Sequence, residues 1–487
     1  MTHHPAPKIS LNQLARRAMA ENGLEADFPP EALEQLAAIT SPAEDASLPD
    51  LTGLLWCSID NDDSRDLDQL SVGEKLPGGS IQIKVAVADV DARVAQGTPL
   101  DLHARKNTTS VYTGVEIFPM LPEKLSTDLT SLSFNETRVA LIVDMRVNAK
   151  GEVDEAKIYR ARVKNKAKLA YNGVGAWLEG AGPLPEAAAR VNGMEAQLRL
   201  QDEAAQRLRA LRHEHGALDL QTLQPRPVTE AGVVVDLALE TQNRAGQLIE
   251  DFMVAANGAT ARFLTAHNFP TLRRVVKTPK RWDRIVSVAA DLGEKLPADP
   301  DSKALSHFLT RQRQKDPLHF PDLSLTIVKL MGRGEYALEL PGQAPQGHFG
   351  LAVRDYNHST APNRRYPDLI TQRLLKNALG GAAAPYAPPE LESLARHCTQ
   401  QEDAADKVER QVRKSASAAF LAPRVGDHFE ALITGVSDKG TWLRLLKPPV
   451  EGKLVQGAQG LDVGDKVRVK LIGVNVEQGW IDFVRIP

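Results

Sequence analysis

The sequence has few cysteines, few aromatic residues, little net charge and no long hydrophobic run. Its 487 residues include 2 cysteines, Cys57 and Cys398, which lie far apart and outside any CxxC or CxH context. Neither a disulfide framework nor a structural zinc site is therefore indicated. No stretch approaches the roughly 20 apolar residues that span a bilayer, and the amino terminus lacks the apolar core of a secretory signal. We expect a cytoplasmic protein without membrane contact.

The net charge of −3 argues against binding nucleic acid over the whole surface. Lysine and arginine are nevertheless concentrated in two segments, residues 161–169 and 272–282. The first segment contains Lys166 and Lys168. Each segment is either a solvated face or part of a basic channel for a polyanion.

The length exceeds what one hydrophobic core normally supports, so we expect about three domains. Near the amino terminus, Ser10 and Gln13 have the spacing of a capping box, and a second helix is predicted to begin at Pro29 and Pro30. Residues 1–50 are thus predicted to be a small helical unit that resembles a helix-turn-helix. Such a unit either touches nucleic acid or packs as a cap on the next domain.

Residues 51–421 are predicted to form one large mixed α/β domain, with buried strands first and long amphipathic helices afterwards. Residues 424–487 contain five short alternating strands separated by glycines, which is typical of an OB barrel. The predicted fold is therefore multidomain α+β, with a helical unit, a mixed catalytic-type domain and a five-stranded β-barrel.

The segment SIDNDDSRDLDQL crowds carboxylates that repel one another unless a cation offsets their charge. An EF-hand that began at Asp60 would need Gly and Glu where the sequence has Arg65 and Ser71, so a calcium loop is excluded. A solvated acidic loop remains the alternative, but the segment directly follows an apolar strand, where sites are commonly built. Carboxylate oxygens suit magnesium or manganese, which predicts a metal site that includes Asp66 and Asp68.

Clustered aspartates commonly hold one or two such ions against a phosphodiester. A site of this kind also needs a positively charged side chain directed at the phosphate charge that grows in the transition state. A planar guanidinium serves that purpose well. The string APNRRYPDL offers Arg364 and Arg365. Arginines before a helix are more often surface or salt-bridge residues, but their pairing with an aspartate cluster favours a role in catalysis.

These segments together resemble the RNB catalytic domain of the ribonuclease II and ribonuclease R family. The aspartate segment is similar to the metal motif of that family, and further similar blocks follow in the family's order at residues 85–112, 118–141, 166–178, 247–257 and 356–369. The resemblance covers roughly residues 51–420. The terminal barrel looks like the RNA-binding OB domain that ends these enzymes.

The resemblance implies a role for individual positions. Asp60, Asp66 and Asp68 would hold magnesium, or manganese in its place, and position the attacking water. Arg364 would contact the scissile phosphate, and Tyr112 would stack on the terminal base, unless it is a core tyrosine. Further residues expected to contact RNA are Arg365, Lys166, Lys168, Trp442 and Glu409, the last of which is otherwise an exposed helix residue.

The sequence departs from the family pattern in three places. Gln69 stands where the last aspartate of the metal motif belongs, Lys277 falls near the place of a second stacking aromatic, and residues 1–50 are too few for the two cold-shock barrels usual in the family. We expect a monomeric, magnesium-dependent exoribonuclease that degrades single-stranded RNA from the 3′ end to nucleoside 5′-monophosphates. Gln69 motivates the alternative, a catalytically weakened RNA-binding regulator.

Overall fold

The computed structural model describes residues 10–221, 225–230, 233–239 and 242–487. Residues 1–9 of the predicted helical unit lie outside the described residues. The α-helices found in the described ranges are α1 Leu11–Glu21, α2 Pro30–Ala38, α3 Pro99–Asn107, α4 Tyr171–Leu178, α5 Glu186–Ala189, α6 Met194–Glu214, α7 Arg244–Ala266, α8 Trp282–Asp291, α9 Ser302–Lys315, α10 Phe320–Met331, α11 Tyr366–Leu379 and α12 Pro388–Leu421.

The strands fall into a large sheet, small hairpins and a closed barrel. Those found in the same ranges are β1 Cys57–Asp60, β2 Gln69–Lys75, β3 Ile81–Ala88, β4 Val111–Tyr112, β5 Ile117–Phe118, β6 Thr137–Val147, β7 Val153–Lys164, β8 Ala167–Ala170, β9 Pro225–Glu230, β10 Val233–Leu239, β11 Thr271–Val275, β12 Glu335–Glu339, β13 His428–Ser437, β14 Gly440–Leu445, β15 Glu451–Gln456, β16 Lys466–Asn475 and β17 Trp480–Arg485.

The amino-terminal helices form as predicted and pack on the rest of the protein. The capping box of α1 is confirmed: Oγ of Ser10 accepts the N–H of Gln13 at 3.2 Å, and Oε1 of Gln13 accepts the N–H of Ser10 at 3.0 Å. Helix α1 contacts α12, and α2 contacts α3. The structure thus places both helices as a packing cap. Their contact with nucleic acid stays a prediction.

The central sheet has six strands in the order β7-β6-β3-β2-β1-β8. Its neighbours are antiparallel except for β1 and β8, which are parallel. Side chains of β3 alternate between two cores: Val85 packs in the same cluster as Phe252 of α7, and Ala86 packs in the same cluster as Leu374 of α11. Helices therefore cover both faces of the sheet.

Strands β7 and β8 are consecutive in the chain but lie at opposite edges of this sheet. Residues 153–164 pair with β6, and residues 167–170 pair with β1, so one segment of extended chain joins the two edges. The pairing ends where Asp60 lies opposite Ala170. Since β8 covers β1, the strand that carries Asp60 is an inner strand.

The carboxyl-terminal strands close into a barrel in the order β13-β14-β15-β17-β16, which confirms the predicted OB barrel. Phe429, Leu443 and Phe483 lie in its core, and Leu421 at the end of α12 joins the same cluster. The multidomain α+β class is likewise confirmed. Among the described residues, no helix is both long and apolar enough to cross a membrane.

Candidate active site

The aspartate segment is the connection between β1 and β2, and the sheet fixes both of its ends. Asp60 is the last residue of β1, and Asp68 immediately precedes β2. The backbone oxygen of Asp68 accepts the N–H of Ala88 at 2.9 Å, which ties this end of the loop to β3. The carboxylates are therefore presented from the end of an inner strand pair.

Asp68 is the most enclosed member of the cluster, with 1% of its surface exposed. Its Oδ1 accepts the backbone N–H of Asn363 at 2.9 Å, and its Oδ2 lies 3.4 Å from Nε of Arg364. Oδ2 has no hydrogen-bond partner among the described residues. Burial raises the pKa of Asp68 to about 7, although the charge of Arg364 and the Asn363 N–H act in the opposite direction.

Tyr112 links the aspartate loop to α12. Its hydroxyl donates to Oδ2 of Asp66 at 3.2 Å, and its backbone N–H donates to Oε1 of Glu409 at 2.8 Å. Burial, followed by the charge of Asp66, raises the pKa of Tyr112 well above its usual value, so the hydroxyl is a proton donor at neutral pH. Because 41% of the tyrosine remains exposed, the alternative of a core tyrosine does not hold.

Burial also raises the pKa values of the two carboxyl groups that Tyr112 contacts. For Asp66, burial is the largest cause, and the charge of Asp60 adds to it. For Glu409, burial is again the largest cause. The carboxyl groups of Asp66 and Glu409 thus accept hydrogen bonds from the side-chain hydroxyl and the backbone N–H of Tyr112, respectively.

Asp62 and Asp63 have partners outside the carboxylate cluster. Nδ2 of Asn172 donates to Oδ2 of Asp62 at 2.9 Å, and Nη2 of Arg226 lies 2.8 Å from Oδ2 of Asp63. Both aspartates are exposed. The structure therefore gives neither of them a place beside Asp66 and Asp68.

The carboxylate oxygens of Asp60, Asp66 and Asp68 are donors that suit a divalent cation, but their side chains do not converge on one point in this structure. Among the described residues no group of three His, Cys, Asp or Glu side chains has a metal-holding arrangement. The charge of Asp60 nevertheless contributes to the raised pKa of Asp66, and the charge of Asp66 contributes to that of Asp68. The three carboxyl groups are therefore close enough to repel one another when they are ionised. A hard cation would relieve that repulsion and supply the partner that Oδ2 of Asp68 lacks.

The predicted arginines lie on the turn that precedes α11, and their side chains differ in direction. Arg364 points toward Asp68, whereas Nη2 of Arg365 donates to Oδ1 of Asp368 at 2.8 Å. Oδ1 of Asp368 also accepts the backbone N–H groups of Thr360 and Ala361, each at 2.8 Å. Arg365 therefore braces the turn, and its contact with RNA stays a prediction.

Asp368 was missed by sequence reasoning, although it lies three residues after Arg365 in the same string. Its side chain is fully buried and accepts three N–H groups with one oxygen. The available signal was an aspartate in the first turn of a predicted helix, where a carboxylate is favoured by the helix dipole. That signal predicts a cap, not the link to the turn that carries Arg364.

A cavity of about 570 Å³ opens beside the cluster. Its walls bring Asp66, Tyr112 and Glu409 together with Arg65 and Arg413. Asp60, Asp68 and Arg364 are not among its lining residues. The cavity is open, is lined by charged side chains of both signs as well as apolar surface, and is large enough for a nucleotide.

The other predicted RNA-binding residues lie outside this cavity. Lys166 and Lys168 are partly exposed near and on β8, and neither ammonium group forms an ion pair with a described residue. Trp442 lies on β14 opposite Lys453 and is 36% exposed. Lys277, near the expected place of a second aromatic, forms an ion pair with Glu335.

Comparison with known proteins finds a matching domain family for each of two parts of the chain. The sequence profile of the RNB domain matches residues 49–381, and that of the RNase II-type exonuclease C-terminal S1 domain matches residues 427–486. Ribonuclease R of Escherichia coli strain K12 is 31% identical over 500 residues, which cover 93% of this chain and 60% of that protein. Ribonuclease R 1 of Lactococcus lactis is 27% identical over 504 residues, covering 96% and 60%.

The fold is similar to that of Mycoplasma genitalium RNase R solved in complex with ribose methylated single-stranded RNA. The TM-score is 0.87 at 22% identity, over 98% of this chain and 78% of the other. The chain spans about 60% of the length of the curated relatives named above.

Proposed function

The chain belongs to the RNB family, and from this we propose that it is an exoribonuclease that degrades single-stranded RNA from the 3′ end and releases nucleoside 5′-monophosphates. The observation that carries the proposal is the buried Asp68, whose Oδ2 lacks a hydrogen-bond donor and lies 3.4 Å from Arg364. A buried carboxylate held beside an arginine and a second carboxylate matches the needs of phosphodiester cleavage. Similar proteins named ribonuclease R support the same reading.

Asp60, Asp66 and Asp68 are the residues that would hold a divalent cation, magnesium by preference and manganese as a substitute. Such a cation supplies Lewis-acid polarisation of the phosphate and a more acidic water. Asp68 has the further task of orienting Arg364. Nε of Arg364 lies 3.4 Å from Oδ2 of that carboxylate, and 42% of the arginine side chain is exposed, so the guanidinium is accessible to a phosphate oxygen.

Tyr112 is proposed to stack on the terminal base. Its hydroxyl is fixed by Asp66 and its backbone by Glu409, so the exposed ring is held in one orientation beside the cavity. A fixed ring loses little entropy when a base stacks on it. Glu409 would act through this tyrosine and set how firmly the last nucleotide is held.

The remaining assignments complete the proposal. Lys166 and Lys168 would contact phosphates, and Trp442 would stack on a base at the barrel. Arg365 would contribute by bracing the turn beside the phosphate. The helical unit 1–50, the catalytic domain 51–421 and the barrel 424–487 would act as one monomer in the cytoplasm.

The test is to incubate the protein with a single-stranded RNA labelled at its 3′ end, in magnesium and in manganese, with and without chelator. Metal-dependent release of labelled mononucleotide from the first turnover is the expected result. Binding without release would instead support the RNA-binding regulator suggested by Gln69. Degradation of a DNA strand of the same sequence at a comparable rate would contradict the preference for RNA, which the 2′-hydroxyl is expected to provide.

A further inference from the structure

The hairpin that carries Tyr112 is too small to hold its own shape. Its strands are Val111–Tyr112 and Ile117–Phe118, with Tyr112 paired to Ile117. Isolated hairpins are marginal in water even when their strands are longer. The orientation of Tyr112 must therefore come from what packs against the hairpin.

Two helices from opposite ends of the chain supply that packing. Val111 and Phe118 are buried in one apolar cluster with Met19 of α1 and with Val408 and Val412 of α12. Tyr112 projects from this layer toward Asp66, and Glu409 of α12 accepts its backbone N–H. The hairpin thus packs in one cluster with α1 and α12.

Helix α1 also holds the turn of the hairpin through Arg16. Nη2 of Arg16 donates to Oε1 of Glu116 at 2.7 Å, and Nη1 donates to Oδ1 of Asp27 at 2.9 Å. Glu116 is itself fixed, because its backbone N–H donates to Oγ1 of Thr113 at 3.0 Å. Arg16 therefore joins the turn after α1 to the turn of the hairpin.

We propose that α1 is a positioning element of the active site, and that Arg16 is the residue through which it sets the hairpin that presents Tyr112. This proposal deepens the proposed function and rests on it for the role of Tyr112. It gives the amino-terminal helical unit a task at the 3′ end of the RNA. Direct contact between that unit and nucleic acid is not needed for this task.

The neighbouring arginine offers a matched control. Arg17 lies on the same helix, is similarly exposed, and forms its long-range ion pair with Glu477 of the barrel at 2.7 Å. Loss of Arg16 removes its ion pairs with Asp27 and Glu116, and loss of Arg17 removes its ion pairs with Glu21 and Glu477. Of the two arginines, Arg16 is the one with an ion pair to the hairpin, so the two variants separate positioning from general stability.

The first measurement needs no RNA. In native-state hydrogen exchange, Arg16→Ala should accelerate exchange of the Tyr112 N–H by about two- to fivefold, the range expected when an exposed ion pair is lost from a local opening reaction. Arg17→Ala should leave that amide unchanged. Equal exchange in the two variants would overturn the proposal.

The second measurement uses hydrolysis of single-stranded RNA by the full chain. Arg16→Ala should raise KM by about two- to fivefold with little change in kcat, because it disturbs a stacking residue and not the carboxylates. In a Tyr112→Ala background the same substitution should add nothing. Additive effects in the double variant would mean that Arg16 acts elsewhere, and would refute the proposal.

The two measurements keep the proposals distinguishable. If the unaltered protein degrades no RNA, the proposed function fails, and the exchange of the Tyr112 N–H still decides whether Arg16 positions the hairpin. If RNA is degraded but Arg16→Ala and Arg17→Ala behave alike, the positioning role fails and the function stands. Arg16→Lys, which retains the charge for Glu116 but not the two-pronged geometry, serves as the milder variant and should give an intermediate exchange rate.

Discussion

Asp68 and Asp368 hold the same turn from its two sides. Asp68 accepts the N–H of Asn363, and Asp368 accepts those of Thr360 and Ala361. The turn carries Arg364, so the position of that guanidinium depends on a buried carboxylate outside the cluster. Asp368 is thus a positioning residue for the proposed phosphate contact.

Replacing Asp368 should test this support directly. Asp368→Ala leaves the two N–H groups and Arg365 without their acceptor, and should lower the free energy of unfolding by about 3 kcal/mol. Asp368→Asn retains a carbonyl oxygen and should cost less stability, yet lower kcat because Arg365 loses its ion pair. Urea unfolding and RNA hydrolysis measure the two effects. An Asn variant with full activity would contradict the positioning role.

Asp68→Asn should abolish hydrolysis. We expect kcat to fall by at least about 10²-fold, the cost of losing one preorganised charge at a reacting centre. Affinity for RNA should remain, because Asp68 is buried and does not line the cavity. Gel-shift assays and mononucleotide release measure the two quantities. The exposed Asp62→Asn is the control and should hydrolyse RNA normally; undiminished cleavage by Asp68→Asn would refute the mechanism.

Gln69→Asp should strengthen metal dependence. Gln69 begins β2, is half-buried, and makes no side-chain hydrogen bond with the described residues. An added carboxylate next to Asp68 should lower the magnesium concentration for half-maximal activity by roughly tenfold, since ligand charge tunes affinity for hard cations. The rise in melting temperature on adding magnesium should also increase. Gln69→Asn, which stays neutral, should show neither change.

Two substitutions should separate the contribution of the Tyr112 ring to RNA binding from that of its hydroxyl. Tyr112→Phe loses only the bond to Asp66 and keeps the stacking surface. Tyr112→Ala loses the surface as well and should raise KM by about tenfold, in line with the value of one base–aromatic stack. Initial rates on short single strands test both variants. Equal KM values for the two would show that the ring does not stack on the RNA.

Lys166 and Lys168 should contribute to the salt dependence of RNA binding. Neither forms an ion pair with a described residue, so both charges are available to phosphates. Replacing both with alanine should reduce the slope of log affinity against log salt by about 1.4, or 0.7 for each lost contact. The same change at Lys295 and Lys303, exposed residues of another part of the chain, should leave the slope unaltered.

Local patterns were sufficient to predict much of this fold. The capping box at Ser10 predicted the start of α1, and the alternating apolar residues of the last domain predicted a barrel, which closes where β13 pairs with β16. Both features depend on neighbours in sequence or on a period of two. The aspartate loop was likewise predictable, because it follows an apolar strand directly.

Contacts between distant segments were beyond the reach of these patterns. The sequence could not decide whether α1 touches nucleic acid or packs as a cap, because its partner α12 begins at Pro388. For the same reason, the sequence could not predict that the side chains of Arg364 and Arg365 point in different directions. Two adjacent arginines look alike in sequence, and only the buried Asp68 and Asp368, brought in from different elements, tell them apart.

The packing of the Tyr112 hairpin in one cluster with α1 and α12 has a consequence for synthesis of the chain. Val408 and Val412 complete the cluster around Val111, and they are added long after the aspartates and Tyr112 have been translated. A growing chain that already contains the carboxylate cluster still lacks the apolar contacts that hold the proposed stacking tyrosine. The ribosome must therefore pass residue 412 before these contacts can form, so the proposed site is completed only late in synthesis.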